Sequence, residues 1–175
     1  MTSARALPYQ PYWCEENVWQ LAARDDLGDG ARRVVFVSNA ARQVALWAQK
    51  ASREHDGLVV WDYHVVLVVG DALWDLDTRL GAPVEVRRWL AETFRPCRPE
   101  LAPRFRVIEA DVYLRELASD RSHMKDEHGS WRADPPPWPV IGSGHTLPRF
   151  IDMDDAFVGE VMDLSAACRG GLGHP

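Results

Sequence analysis

The run "LVVWDYHVVLVV" (residues 58–69) constrains this chain more than any other twelve residues in it. β-Branched and aromatic side chains fill the run, and apolar residues fall on both of its alternating faces. A strand of that kind belongs at the centre of its sheet, covered on both sides. Asp62 and His64 are its polar residues; they share a face with Val60, Val66 and Val68, while Trp61, Tyr63 and Val65 point the other way. Polar groups on a buried face need partners.

The next segment supplies them. "GD" at Gly70 and Asp71 signals a turn, and "ALWDLDT" (72–78) resumes strand character, so the two runs read as an antiparallel hairpin. A two-residue loop pairs Val69 with Ala72 and sets His64 opposite Asp77, with Asp75 diagonal to it. A four-residue loop sets His64 directly opposite Asp75. Either register puts both aspartates on the histidine's face, and a three-residue loop reverses that.

Elsewhere, "CEENVWQLA" places Cys14, Val18, Leu21 and Ala22 on one helical face, with Glu15 and Glu16 suited to a first turn. "RRVVFVS" (32–38) and "RFRVIEA" read as strands, "APVEVRRWLAETF" as a helix with Val86, Leu90 and Phe94 on one face, and "DVYLRELA" as a short helix. "NAARQVALWAQKAS" fits a helix or a turn followed by a strand, and "VGEVMDLSAA" fits either strand or helix. "SDRSHMKDEHGSWRADPPPWPVI" is polar and proline-rich, which predicts an irregular surface or active-site segment. "RGGLGHP" reads as a frayed tail. Strands interspersed with helices in this order predict an α+β fold, a mainly antiparallel sheet packed against helices.

Composition narrows the function classes. With 175 residues, 46% of them hydrophobic, the chain can bury most of its apolar surface around one core. We therefore expect a single domain over 1–175, with its core at about 12–165 and frayed termini. A net charge of −6 argues against nucleic acid as a partner, since that footprint needs clustered Lys and Arg. No apolar run approaches the roughly 20 residues of a membrane span. The start, "MTSARALPYQPYW", lacks the apolar centre of a secretory signal, so the expected compartment is the cytoplasm, without membrane association. Cys14, Cys97 and Cys168 are odd in number and far apart, which fits neither a disulfide framework nor a zinc site. His55, His128, His145 and His174 have no ligand-like spacing and are expected to face solvent; no metal site is expected.

A carboxylate beside an imidazole fixes its tautomer and stabilises the imidazolium that an activated thiol requires. Cys14 would complete such a set if the helix start meets the hairpin, because a helix N-terminus favours thiolate and offers free N–H groups to an oxyanion. Glu15 and Glu16 oppose this unless they point outward. By itself, a half-buried cysteine is more often an inert core thiol.

"YWCEENVWQL", "VFVSN", "VVWDYHVVLV", "WDLDT", "FRVIEADVYL", "SDRSHMKDEHGSWRADPPPWP" and "FIDMD" together resemble the protein N-terminal glutamine amidohydrolase family, in order, from Tyr12 to Met153. The resemblance implies a monomeric, cofactor-free thiol enzyme of papain/transglutaminase-like fold. It would deamidate the N-terminal glutamine of proteins or peptides to glutamate with release of ammonia, feeding an N-degron pathway. Carried over by position, the catalytic residues are Cys14 of "WCEEN", at a helix N-terminus; His64 of "WDYHVV"; and Asp75, the first aspartate of "WDLDT". That choice favours Asp75 over Asp77 and the four-residue loop.

Reading a free α-amine calls for a buried carboxylate, which an acylated or internal residue would leave unpaired. Asp62, Glu16 and Asp120 are the candidates; Ser122 and His123 are candidates to line the pocket, Trp13 to wall it, and "PPPWP" to cover it. The same three catalytic residues would also serve a cysteine peptidase or a transglutaminase. A non-catalytic module binding peptide N-termini would not need them.

Overall fold

The computed structural model describes residues 6–173. His174 and the first five residues of the sequence, on which part of the reading above falls, lie outside them. The elements run in the order α1 (Cys14–Ala22), β1 (Arg32–Ser38), β2 (Val44–Leu46), β3 (Val59–Trp61), β4 (His64–Val69), β5 (Ala72–Trp74), β6 (Val84–Glu85), α2 (Val86–Thr93), β7 (Arg104–Glu109), α3 (Ala110–Glu116), α4 (Leu147–Ile151) and β8 (Glu160–Asp163). Six strands form one sheet in the order β6-β5-β4-β1-β7-β8, with every neighbouring pair antiparallel. β2 and β3 pair separately. The architecture is α+β, as the element order predicts.

β1 and β4 hold the centre because both are apolar on both faces. Val34, Phe36, Val65 and Leu67 pack on one side with Leu21 of α1, Tyr113 of α3 and Phe150 of α4. Val35, Val37, Val66 and Val68 pack on the other with Trp89 and Leu90 of α2. Burying either layer withdraws several large apolar side chains from water, each contributing about 1.5–3 kcal/mol.

Three expectations are corrected. Residues 58–69 are not one strand: the ladder breaks at Asp62 and Tyr63, where the chain passes from the small sheet to the large one. Ser38 Oγ donates to the Asp62 carbonyl at 2.6 Å and Tyr63 N–H to Asp62 Oδ1 at 3.0 Å, which take up backbone and side-chain groups that a continuous ladder would use differently. The hairpin loop has two residues, since Val69 pairs with Ala72 and Leu67 with Trp74; Gly70 takes φ 57, a conformation glycine accepts without strain. The tail is packed rather than frayed as far as Leu172, which is fully buried with Ala167 against the α2 side of the sheet.

The ambiguous segments resolve as a turn followed by β2, and as β8 followed by a helical turn at Leu164–Ala166. The proline-rich segment is irregular, with one 3₁₀ turn at Ser122–Met124. α4 is an element the sequence reading missed. Among the described residues, no helix is long and apolar enough to cross a membrane.

Candidate active site

α1 packs across β4, and its first residue is Cys14. The residue before it, Trp13, offers no side-chain cap, so the first turn keeps unpaired N–H groups at the thiol's end of the helix. Cys14 and His64 open into one cleft of about 280 Å³, which Trp61, Asp62, Asp77 and His123 also line. Strand alternation turns His64 toward the α2 side with Val66, while the thiol faces the Val65 backbone N–H.

His64 Nε2 and Asp75 Oδ1 are 2.9 Å apart, both buried. The predicted partnership is present, although the predicted loop is not: β5 leaves the ladder after Trp74, and the bend carries Asp75 back onto the imidazole. Asp75 Oδ1 also accepts the Asp77 N–H at 3.0 Å, and Oδ2 accepts Trp89 Nε1–H at 2.9 Å. With Nε2 engaged by Asp75, Nδ1 is the ring nitrogen left without that partner.

Burial disfavours the His64 imidazolium, but the Asp75 charge and hydrogen bond outweigh it and raise the pKa above the ordinary 6.5. Burial opposes the Asp75 carboxylate too, yet His64, Trp89 and the Asp77 N–H together hold its pKa below the ordinary value. Burial, followed by the adjacent Glu15 carboxylate, pushes the Cys14 thiol well up. A base is therefore needed to draw off its proton. Asp77, whose Oδ1 accepts the Tyr9 hydroxyl at 2.7 Å, has its pKa raised chiefly by burial. His64, Asp75 and Asp77 bring three possible metal donor atoms within 4.8 Å of one another. A cation there would compete with the hydrogen bonds that both Asp75 oxygens already accept.

The substrate-binding candidates divide. Asp62 is exposed at the cleft and His123 lines it. Glu16 does not face the cleft: it is fully buried, and Arg121 grips it with Nε at 2.7 Å and Nη2 at 2.6 Å, while Trp138 Nε1–H adds a third bond at 2.8 Å. Asp120 is exposed and serves a turn, accepting the Ser122 N–H at 2.9 Å; Ser122 is exposed as well. Trp13 is fully buried behind the site, donating to the Asp134 carbonyl at 2.9 Å with the Arg121 guanidinium 5.5 Å over its ring. The "PPPWP" segment does not line the cleft; it braces α1 through Trp138, which donates to Glu16, and its Pro139 carbonyl accepts from Arg121.

His145 is not solvent-facing as expected: it lines the cleft and stacks on His123 with ring centroids 5.5 Å apart. His128 is exposed, as expected, and so are Cys97 and Cys168.

Glu15 and Tyr63 were missed altogether. Glu15 is fully buried beside the thiol and accepts the Tyr63 hydroxyl at 3.0 Å. Tyr63 lies 48 positions away in sequence, so no local spacing announces the contact.

The model of the N-terminal glutamine amidase family matches residues 9–170. Curated relatives agree with it. The human protein N-terminal glutamine amidohydrolase is 40% identical over 164 residues, covering 85% of this chain and 80% of its own. The protein of that name from Oryza sativa subsp. indica is 39% identical over 184 residues, covering 93% and 78%. That from Drosophila pseudoobscura pseudoobscura is 43% identical over 162 residues, covering 83% and 78%. A thiol at a helix start, an imidazole held by a buried carboxylate and a match over nearly the whole length converge: the chain belongs to the N-terminal glutamine amidase family.

Proposed function

We propose that this chain is a protein N-terminal glutamine amidohydrolase, converting N-terminal glutamine of proteins or peptides to glutamate with release of ammonia. Family membership supports the substrate, and the His64–Asp75 hydrogen bond in the cleft that Cys14 shares is the observation that carries the chemistry.

His64 takes the thiol proton through Nδ1 as Cys14 sulfur adds to the side-chain amide carbon of the glutamine. The resulting oxyanion is held by donors that include the Cys14 backbone N–H at the start of α1. As the tetrahedral species collapses, the carbon–nitrogen bond breaks and His64 returns the proton to the departing ammonia. Water, deprotonated by the same histidine, then hydrolyses the thioester and frees the thiol. Asp75 orients the ring and stabilises its charged form without itself transferring a proton. Asp62, at the mouth of the cleft, and His123 contribute to the substrate pocket.

A nucleophile opening the first helix, with its base on the central sheet, fits a papain/transglutaminase-like fold. We read the protein as a cytoplasmic monomer that uses no cofactor and prepares substrates for an N-degron pathway.

Peptides beginning with Gln, Asn, acetyl-Gln or pyroglutamate, followed by product mass and ammonia, test this reading. Only the free Gln peptide should gain the single mass unit of deamidation, and Cys14→Ser should abolish it while the circular dichroism stays unchanged. Chain cleavage, amine incorporation or a folded, active Cys14→Ala protein would refute it.

A further inference from the structure

Among the described residues, Glu15 is the one fully buried carboxylate beside the thiol with an oxygen that has no hydrogen-bond partner. Its Oε2 accepts the Tyr63 hydroxyl at 3.0 Å and the Cys14 thiol at 3.7 Å. Its Oε1 is buried and has no hydrogen-bond partner. Among the described residues, no lysine or arginine pairs with it; His123 Nε2, 3.4 Å from Oε1, is its basic neighbour. A buried carboxylate left in that state is costly to the fold. Its neighbours Tyr63, His123 and Cys14 all line the cleft, so the unfilled bonding capacity lies directly behind the cleft wall they form.

We propose that Glu15 is the counter-ion for the substrate's α-ammonium, binding it beside the thiol together with the Tyr63 hydroxyl oxygen and the margin of the cleft at His123. The identity of that cation rests on the deamidase reading above; the existence of a cation site beside the thiol does not. The dimensions agree. In glutamine the α-nitrogen lies about 5 Å from the amide carbon, by bond lengths of about 1.5 Å. An ammonium against Glu15 therefore leaves that carbon within reach of a sulfur 3.7 Å from the same carboxylate. Asparagine, one methylene shorter, carries its amide carbon less far from the ammonium. An acetylated terminus brings no charge and leaves Glu15 unpaired.

The arrangement also links recognition to chemistry. Without a cation, the Glu15 charge opposes formation of thiolate at Cys14; an ammonium seated on Glu15 cancels that opposition. A substrate with a free amine thus activates the nucleophile it is about to meet.

Thiol reagents test this without relying on turnover. Modification of Cys14 is read by peptide mass in a Cys97→Ser/Cys168→Ser background, comparing cationic 2-aminoethyl methanethiosulfonate with neutral methyl methanethiosulfonate. The parent should favour the cationic reagent, relative to free cysteine, by about tenfold. That preference should persist in 0.5 M NaCl, because salt screens exposed charges far more than buried ones. In Glu15→Gln the preference should vanish, while alkylation by neutral iodoacetamide speeds up about tenfold or more as the thiol pKa falls. Turnover of the Gln peptide should drop about a hundredfold in the same variant. A merely structural role predicts that all three rates fall together.

A parent with no preference, or one that salt abolishes, overturns the proposal even if Glu15→Gln does not fold. Loss of the preference in Asp62→Asn but not in Glu15→Gln also overturns it. A cation preference in a protein that leaves Gln peptides untouched would instead refute the deamidase reading and keep the site.

Discussion

Glu15 and Glu16 are neighbours in the first turn of α1 and both are fully buried, yet their surroundings are opposite. Glu16 is fully matched: a two-pronged Arg121 guanidinium and the Trp138 indole fill its lone pairs. Glu15, with the Tyr63 hydroxyl and the Cys14 thiol on one oxygen and only an incompletely engaged histidine near the other, is not. The same residue type at adjacent positions therefore does two jobs. One ties the irregular segment carrying Arg121 and Trp138 to the helix that bears the thiol. The other keeps charge unspent at the reaction centre. Matched buried charges hold structure, whereas an unmatched one beside a nucleophile is available for a ligand.

Stability measurements can break this distinction. Glu16→Ala leaves the Arg121 guanidinium buried without its carboxylate and should lower the unfolding free energy by about 3–5 kcal/mol in urea titrations. Glu15→Gln, by contrast, removes a buried charge that lacks a full set of partners and should leave the unfolding free energy unchanged or raise it. Equal losses in the two variants would mean that both glutamates are structural.

Asp75 extends the contrast across the thiol, since both its oxygens accept hydrogen bonds but its partner is His64, the base we propose. Asp75→Asn should cut kcat/KM about a hundredfold or more, equivalent to about 2.7 kcal/mol. The sign of its pH effect follows from the His64 shift. With Asp75 present, the pKa of His64 is raised, so activity that needs the neutral base climbs above pH 6.5. Without the carboxylate, burial dominates and the acid limb moves to lower pH. For stability, the raised His64 favours the native state fully below its unfolded pKa and loses this as pH rises through the folded one. The lowered Asp75 contributes above its unfolded pKa and loses this as pH falls through the folded one. The pair therefore stabilises most between about pH 4 and 6.5, which urea titrations at a series of pH values would show.

Trp138→Phe removes one of the three bonds to Glu16 and keeps the other two, so it should cost about 1–2 kcal/mol. The smallest effect belongs to Arg88→Ala, which breaks an exposed pair with Glu92 on α2 and should cost less than about 0.5 kcal/mol. Arg88–Glu92 is the same kind of pair as Arg121–Glu16, and burial is what separates their worth.

Local patterning made much of the fold legible. β1 was bounded correctly because seven residues of strand chemistry lie between breaking signals, and the two-residue loop was one of the registers that "GD" allows. His64 with Asp75 was legible because both lie on one hairpin. The break after Trp61 was obscured by the uniform apolar run around it; Asp62 was its one sign, a residue that bonds its own neighbouring backbone more readily than a ladder. The surroundings of the two glutamates were illegible. In a first turn, acids satisfy the helix dipole whether they face water or the core. What buries them comes from far away in the chain: Tyr63 at a separation of 48, Arg121 at 105 and Trp138 at 122.

Those separations bear on how the protein comes into being. A ribosome adding about 5–20 residues per second releases Cys14 roughly 5–20 s before the Arg121 that anchors the far wall. During that interval the nascent chain carries a thiol but no enclosure, and His123, which lines the cleft, has not yet been made. The segment from Arg121 to Ile151 completes the cleft that the first helix began, so the enclosed site forms only after that segment has been made.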